Sequence, residues 1–214
     1  MNIKDALERC RLYFITDSKF SKLSVLQQIE AAIEAGCTVI QYREKDEERK
    51  TIKVTAKKIR EITKKNDVIF IVNDYLDIAC EVEADGLHIG QGDIPYEQAR
   101  QLLGKNKIIG VSCHTAEQAK EAEQKGADYI GFGPIFHTDT KYYTGSVVGT
   151  ELLQKTVSAI NITIVAIGGI NNNNLDQVLK TKPQGIVMIS ALLEKKNLQL
   201  DIKKVISKIK NRTE

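Results

Sequence analysis

Thr138, Thr140 and Lys141 set two hydroxyls and one mobile ammonium in a short polar loop within the stretch GFGPIFHTDTK, which begins at Gly131. Hydroxyls and amides give an anion directional hydrogen bonds, and lysine meets it as a point charge, so this trio suits a phosphate. A lone T-x-T-K also describes an ordinary solvated loop, and the rest of the chain has to decide. In Gln41-Tyr42-Arg43-Glu44-Lys45, strand alternation sends Gln41, Arg43 and Lys45 to one side, an amide and two cations that could clamp a polyphosphate beside a heterocycle. Asp74, after Asn73, and Asp93, in Gly90-Gln91-Gly92-Asp93, are carboxylates in successive loops. Magnesium takes one or two such carboxylates and completes its shell with water and substrate phosphates. Read singly, Asp74 is also a helix N-cap and Asp93 a turn residue. Asp77 lies one helical turn past Asp74 and is the weaker candidate. Gly168-Gly169 would let an anion approach the backbone amides that start the next helix, and with Ile189-Ser190 it makes a second anion site. Two anion sites around one divalent ion imply two phosphorylated ligands, or one ligand with two such ends. His88 and His137 stand near the same rim, as proton carriers or as hydrogen-bonded rim residues. Cys113 and His114 look like a nucleophile beside its base, but neighbours on an extended segment point to opposite faces, which leaves Cys113 structural.

The elements that carry these residues recur with a regular plan. Short β-branched runs, each followed by a longer helical pattern, start at Leu12, Cys37, Val68, Gly86, Ile108, Asp128, Thr163 and Gly185. The intervening helices are expected over 23–35, 48–64, 75–81, after Pro95, 115–126, 149–159, after the asparagine run 171–174, and 198–210. Thr115, with Gln118 three residues on, has the pattern of a capping box. Eight near-continuous apolar strands alternating with helices predict a parallel sheet buried on both faces, and eight is the number that closes. The expected fold is a single (β/α)8 barrel domain over 1–214, with residues 1–10 as a short extra helix beneath it. An open doubly wound sheet would carry a glycine fingerprint after its first strand, where Thr16-Asp17-Ser18 stands instead. In a barrel, loops at the strands' C-terminal ends carry the chemistry, which is where all the candidate residues above fall.

Composition excludes several function classes. A net charge of +3, from 31 basic and 28 acidic residues, is too small for a nucleic-acid binder, and the lysines spread over several helices. Unbroken apolar runs stay well short of membrane-spanning length, and Met1 to Cys10 lacks a signal peptide's apolar centre, so a cytoplasmic protein is expected. Four dispersed cysteines without C-x-x-C spacing read as reduced, mostly buried thiols. Barrels of this size often pair, so a homo-oligomer is compatible with the sequence.

In order along the chain, QYREKD, VNDYLDIA, ADGLHIGQGD, GVSCHT, GFGPIFHTDTK, VAIGGI and VMISAL give it a whole-length resemblance to the thiamine phosphate synthase family. That family joins a hydroxymethylpyrimidine diphosphate to a thiazole phosphate and releases pyrophosphate. The resemblance implies that Gln41, Arg43, Lys45, Asn73, Ser112 and Lys141 contact the pyrimidine diphosphate. It further implies that Asp74 and Asp93 hold Mg2+, and that Thr138, Thr140, Gly169, Ile189 and Ser190 hold the thiazole phosphate. The same motifs bring Tyr42, Glu44 and Asp139 into the expected substrate-contacting set, and Lys141, Arg43, Lys45 and Ser112 into the catalytic one. The chain departs from the family's pattern at His137, where a proline is common, and at Tyr142-Tyr143-Thr144, where relatives often carry more charge. A thiazole tautomerase of the same barrel type tends to lose the Asn-Asp pair and the G-Q-x-D motif, which this chain keeps. A non-catalytic barrel that binds phosphorylated ligands would tolerate their loss.

Overall fold

The computed structural model describes residues 2–138, 140 and 146–211. Helices and strands alternate along them: α1 (Ile3–Arg9), β1 (Phe14–Ile15), α2 (Val25–Glu34), β2 (Val39–Tyr42), α3 (Arg49–Lys65), β3 (Ile69–Asn73), α4 (Leu76–Glu81), β4 (Gly86–Ile89) and α5 (Tyr96–Leu103). There follow β5 (Ile108–Cys113), α6 (Ala116–Gln124), β6 (Tyr129–Phe132), α7 (Gly149–Ala159), β7 (Thr163–Ala166), α8 (Leu175–Lys180), β8 (Gly185–Ile186), α9 (Ser190–Leu193) and α10 (Leu198–Asn211). All eight strands are parallel and pair in chain order. The first and last meet through a parallel bridge between Leu12 and Ile186, where Tyr13 N donates to Ile186 O at 2.9 Å and Ile186 N to Arg11 O at 2.8 Å. Every strand thus has two neighbours, and the expected (β/α)8 barrel is the fold the chain adopts.

Side-chain alternation divides the apolar residues into two buried groups. Tyr13, Ile15, Val39, Ile69, Ile71, Tyr129, Val165 and Val187 point inward and fill the barrel. The intervening residues, among them Phe14, Ile40, Phe70 and Phe132, point outward and pack beneath the helices. Helix α1 closes the bottom, as expected: Ile3, Ala6 and Leu7 are buried, and Thr38 Oγ1 donates to Ala6 O at 2.6 Å. Leu7 lies so near Gly185, at the start of β8, that a Cβ there would stand 3.2 Å from its Cδ1.

Local signals set the helix starts. Ser24 and Gln27 form a reciprocal capping box on α2. Thr115 caps α6, but only half the box expected there exists, because the Gln118 amide oxygen accepts from His114 N at 2.7 Å instead. Strand boundaries other than those of β4 also differ from the sequence reading, by one to three residues. Strand β2 starts and ends two residues later, so Gln41 and Tyr42 belong to it, and β8 covers only the first part of its apolar run. The turn α9 had no periodic signature, being too short for one. All four cysteines are free thiols, with Cys10, Cys37 and Cys113 buried and Cys80 exposed. Among the described residues no helix is long and apolar enough to cross a membrane.

Candidate active site

Gln41, Asn73, His88 and Ser112 occupy inward positions near the C-terminal ends of β2, β3, β4 and β5. The ladder puts them side by side, pairing Asn73 with His88 and Ser112 with Gly131. They line one cleft in the barrel mouth, together with Arg43 on one side and Thr138, Thr140, Gly169, Ile189 and Ser190 on the other. Its empty space, open solvent included, is about 1060 Å³.

The floor is a hydrogen-bonded chain that sequence reasoning missed. Gln41 Nε2 donates to Tyr13 OH at 2.9 Å, the two tyrosine hydroxyls of Tyr13 and Tyr129 are 2.7 Å apart, and Tyr129 OH is 2.9 Å from His88 Nδ1. His88 Nε2 then meets Ser112 Oγ at 2.9 Å. His88 is therefore more than a rim residue; it links the barrel floor to Ser112. In sequence, each tyrosine reads as one more apolar residue in its strand. The available signal was polar residues recurring at inward positions of adjacent strands, for which core tyrosines are natural partners.

Charged residues gather above β2, β3 and β4. Asp74 follows β3 with φ at 61°, and its N–H donates to His88 O at 2.9 Å. Helix α4 has no side-chain cap, so the N-cap reading of Asp74 fails. Its carboxylate instead forms an ion pair with Lys45 and makes side-chain contact with Asp93. Burial raises its pKa above the usual carboxylate range; Lys45 opposes that shift and the Asp93 charge adds to it. Asp93 does take a turn role as well, accepting from Gly90 N at 2.6 Å. Asp77 turns away to Arg49, a largely exposed pair. Among the described residues no cluster of three or more metal-binding side chains occurs, so any ion here rests on this carboxylate pair plus water and ligand oxygens. Arg43, at the cleft edge, is held by buried Asp17, with Nη1 2.6 Å from Oδ2, while Thr16 Oγ1 accepts from Arg43 N at 3.1 Å. Asp17, like Tyr13 and Tyr129, is a residue that sequence reasoning passed over.

Two members of the expected substrate-contacting set stand elsewhere. Tyr42 is an outward residue of β2, buried beneath the helices, because alternation opposes it to Gln41. Glu44 folds back so that its Oε1 accepts from Lys45 N and Asp46 N, at 2.8 and 3.0 Å, which occupies the carboxylate within its own loop. Asp139 and Lys141 lie outside the described residues. Cys113 is fully buried with its thiol pushed up to about 12 by burial, while His114 lines the cleft, so the two do face apart. His114 Nδ1 donates to Gly133 O at 2.5 Å.

On the far side, Thr138 Oγ1 donates to Thr140 Oγ1 at 3.2 Å and accepts from Thr140 N at 3.3 Å. Gly168 and Gly169 have φ of +100° and +65° and press against the same loop, where a Cβ on Gly169 would come within 2.3 Å of His137 O. The glycines do not open directly onto a helix, which starts after the asparagine run as the sequence reading placed it. An asparagine turn intervenes, and Asn174 Nδ2 donates to Gly169 O at 2.9 Å, so the turn fixes the glycine pair before α8 begins.

Comparison with known proteins gives the chain's family. The family described as thiamine monophosphate synthase matches residues 12–192. A thiamine-phosphate synthase from Methanosarcina barkeri is 42% identical over 204 residues, covering 95% of this chain and 92% of the relative. One from Clostridium botulinum is 44% identical over 190 residues, covering 88% and 93%. The solved thiamine phosphate pyrophosphorylase from Pyrococcus furiosus superposes with a TM-score of 0.88 at 36% identity, over 97% of this chain and 99% of that one. The chain belongs to the thiamine monophosphate synthase family.

Proposed function

We propose that this barrel condenses 4-amino-2-methyl-5-hydroxymethylpyrimidine diphosphate with 4-methyl-5-(2-phosphooxyethyl)thiazole, or its carboxylate, to give thiamine phosphate and pyrophosphate. The observation that carries this reading is one cleft with Arg43 and Asn73 at one edge, where the Arg43–Asp17 and Lys45–Asp74 pairs follow β1 to β3, and a hydroxyl and glycine cradle after β6 to β8. It offers a seat for a diphosphate and another for a monophosphate, with the aminopyrimidine and thiazole rings between them.

Magnesium fits the first seat: Asp74 and Asp93 meet, Asp74 is half-buried without a capping role, and two carboxylates are the protein share that this ion commonly uses. When bound by those carboxylates, it would supply positive charge to a leaving diphosphate. Arg43, oriented by Asp17, sits where it can bind the same oxygens, and Lys45 can move from Asp74 to a phosphate once an ion takes its place. Lys141 has the role given by resemblance, a further cation for the diphosphate. Gln41, Asn73 and Ser112 orient the pyrimidine, whose amino group feeds electron density to the exocyclic carbon as the C–O bond to diphosphate breaks. The thiazole nitrogen, anchored through Thr138, Thr140 and the Gly169 to Ser190 cradle, then forms the new C–N bond. Positioning and electrostatics provide the acceleration, with no covalent enzyme intermediate.

The reading is of one cytoplasmic barrel domain acting on small phosphorylated molecules, with neither nucleic acid nor membrane involved. It is tested by pyrophosphate release, assayed with both substrates and magnesium and with each component omitted. Release that needs all three is expected; none from the complete mixture overturns the reading.

A further inference from the structure

The floor chain joins Gln41, Tyr13, Tyr129, His88 and Ser112, from four strands and the residue just before β1, with four contacts of 2.7 to 2.9 Å. A tyrosine hydroxyl has one proton, so each link fixes the next. Tyr13 accepts from Gln41 Nε2, and the arrangement that leaves neither hydroxyl proton unpaired has Tyr13 donate to Tyr129 and Tyr129 donate to His88 Nδ1. In that arrangement a neutral His88 ring carries its proton on Nε2 and gives it to Ser112 Oγ, leaving the serine proton as a donor to the cleft. At the other end, Gln41 Oε1 remains as the amide's acceptor. We propose that Tyr13 and Tyr129 are positioning residues whose hydroxyl chain sets the cleft's polarity, acceptor at Gln41 and donor at Ser112, and so selects an aminopyrimidine over its oxo analogue.

The selectivity follows from the edges of the two rings. A 4-aminopyrimidine offers an N–H donor beside a ring-nitrogen acceptor, and a 4-oxopyrimidine offers the reverse pair. Running the chain backward would turn the Gln41 amide over and make Ser112 donate to His88, which reads the oxo edge. Because both hydroxyls must reverse together, the two ends are coupled. The rings have dedicated space: a Cβ on Gly110 would lie 2.0 Å from Tyr129 Cζ, and one on Gly131 would lie 3.2 Å from His88 Cε1. Tyr13 and Tyr129 are each 1% exposed, so water does not compete for their hydroxyls.

The inference rests on the function proposed above and is tested alongside it. Wild type, Tyr13→Phe, Tyr129→Phe and a control, Tyr96→Phe, are assayed with the aminopyrimidine diphosphate and with its 4-oxo analogue. The control loses a hydroxyl that donates to Gly126 O in the outer layer. Each floor variant should lower the amino-over-oxo ratio of kcat/KM by about tenfold or more, because a hydrogen-bonding site discriminates through its polarity. KM for the thiazole phosphate should stay within about twofold, as expected for separate sites, and the control should keep the wild-type ratio. An unchanged ratio in the floor variants, with wild type active, overturns the proposal alone. Absence of pyrophosphate release by wild type overturns the functional reading and this inference with it. The two variants break different links, so either one that folds carries the test; loss of the melting transition in both would make the chain purely structural and overturn the proposal.

Discussion

At the residue scale, the barrel mouth keeps two carboxylates, Asp17 and Asp74, in surroundings that do not favour their charge, and each has a cation beside it. Asp17 is buried, with burial the main cause of its raised pKa, and Arg43 partly offsets that shift. Replacing Arg43 with Ala leaves that carboxylate buried without its cation, which costs about 3 kcal/mol. Adding Asp17→Asn, which keeps the Oδ1 that accepts from Lys19 N, should recover most of the stability and none of the turnover. Urea unfolding beside a turnover assay separates these outcomes; recovery of both would make Arg43 structural. Asp74 tests the metal reading. Its raised pKa means that the folded chain binds the proton more tightly than the unfolded chain, so this group favours folding at pH below the ordinary carboxylate pKa, and that contribution is lost as pH rises through the raised folded value. In chelator at neutral pH, Asp74→Asn should therefore melt at or above the wild-type temperature while losing activity. Magnesium should raise the melting temperature of wild type but not of the variant. A variant that melts well below wild type in chelator, or that magnesium still stabilises, would contradict this assignment. The chemistry-bearing types here were legible as Gln41, Arg43, Lys45, Asp74 and Asp93. Asp17, Tyr13 and Tyr129 were not, because a partner's value depends on what folds against it.

At the element scale, strand alternation carried most of what could be read in advance. Its period of two separates Cys113 from His114 and Gln41 from Tyr42, and both consequences were drawn; Tyr42 came among the expected substrate contacts through the family motif, against that alternation. The Gly168-Gly169 turn shows its limit. Its glycines were recognisable, but their reason is the close approach of the 134–138 loop, a tertiary contact that no run of residue types spells out. At φ of +65°, with His137 O only 2.3 Å from the place a Cβ would take, Gly169→Ala cannot be accommodated without moving the loop that carries Thr138. Strain of about 1–3 kcal/mol at such a position, relieved by displacing the cradle, should raise the thiazole phosphate KM about tenfold or more. The pyrimidine KM should move much less. Steady-state kinetics with each substrate varied in turn checks this, and an equal rise in both constants would place the effect in the barrel as a whole.

At the scale of the whole molecule, the barrel separates stability at one end from chemistry at the other. Closure through Leu12 and Ile186 and a floor helix packed into the bottom hold the ring, while the polar residues that must remain available to substrates crowd the mouth. Eight strand and helix units made the ring itself readable from sequence, because period and count require no knowledge of partners. Leu7 is the test of the separation. It is fully buried, reaches Gly185 and shares the inner group with Val165, so its truncation opens a cavity in a rigid, closed cage that has little means to collapse. Leu7→Ala should cost about 2–5 kcal/mol of unfolding free energy. Since the site lies at the opposite end, both KM values and kcat should stay within about twofold of wild type, and the stabilisation given by saturating thiazole phosphate should be the same in variant and wild type. Denaturant titrations with and without the ligand give both quantities. If the ligand stabilised the variant less than wild type, bottom packing and mouth geometry would be coupled through the strands, and the barrel would have to be treated as one elastic unit in which α1 contributes to catalysis as well as to folding.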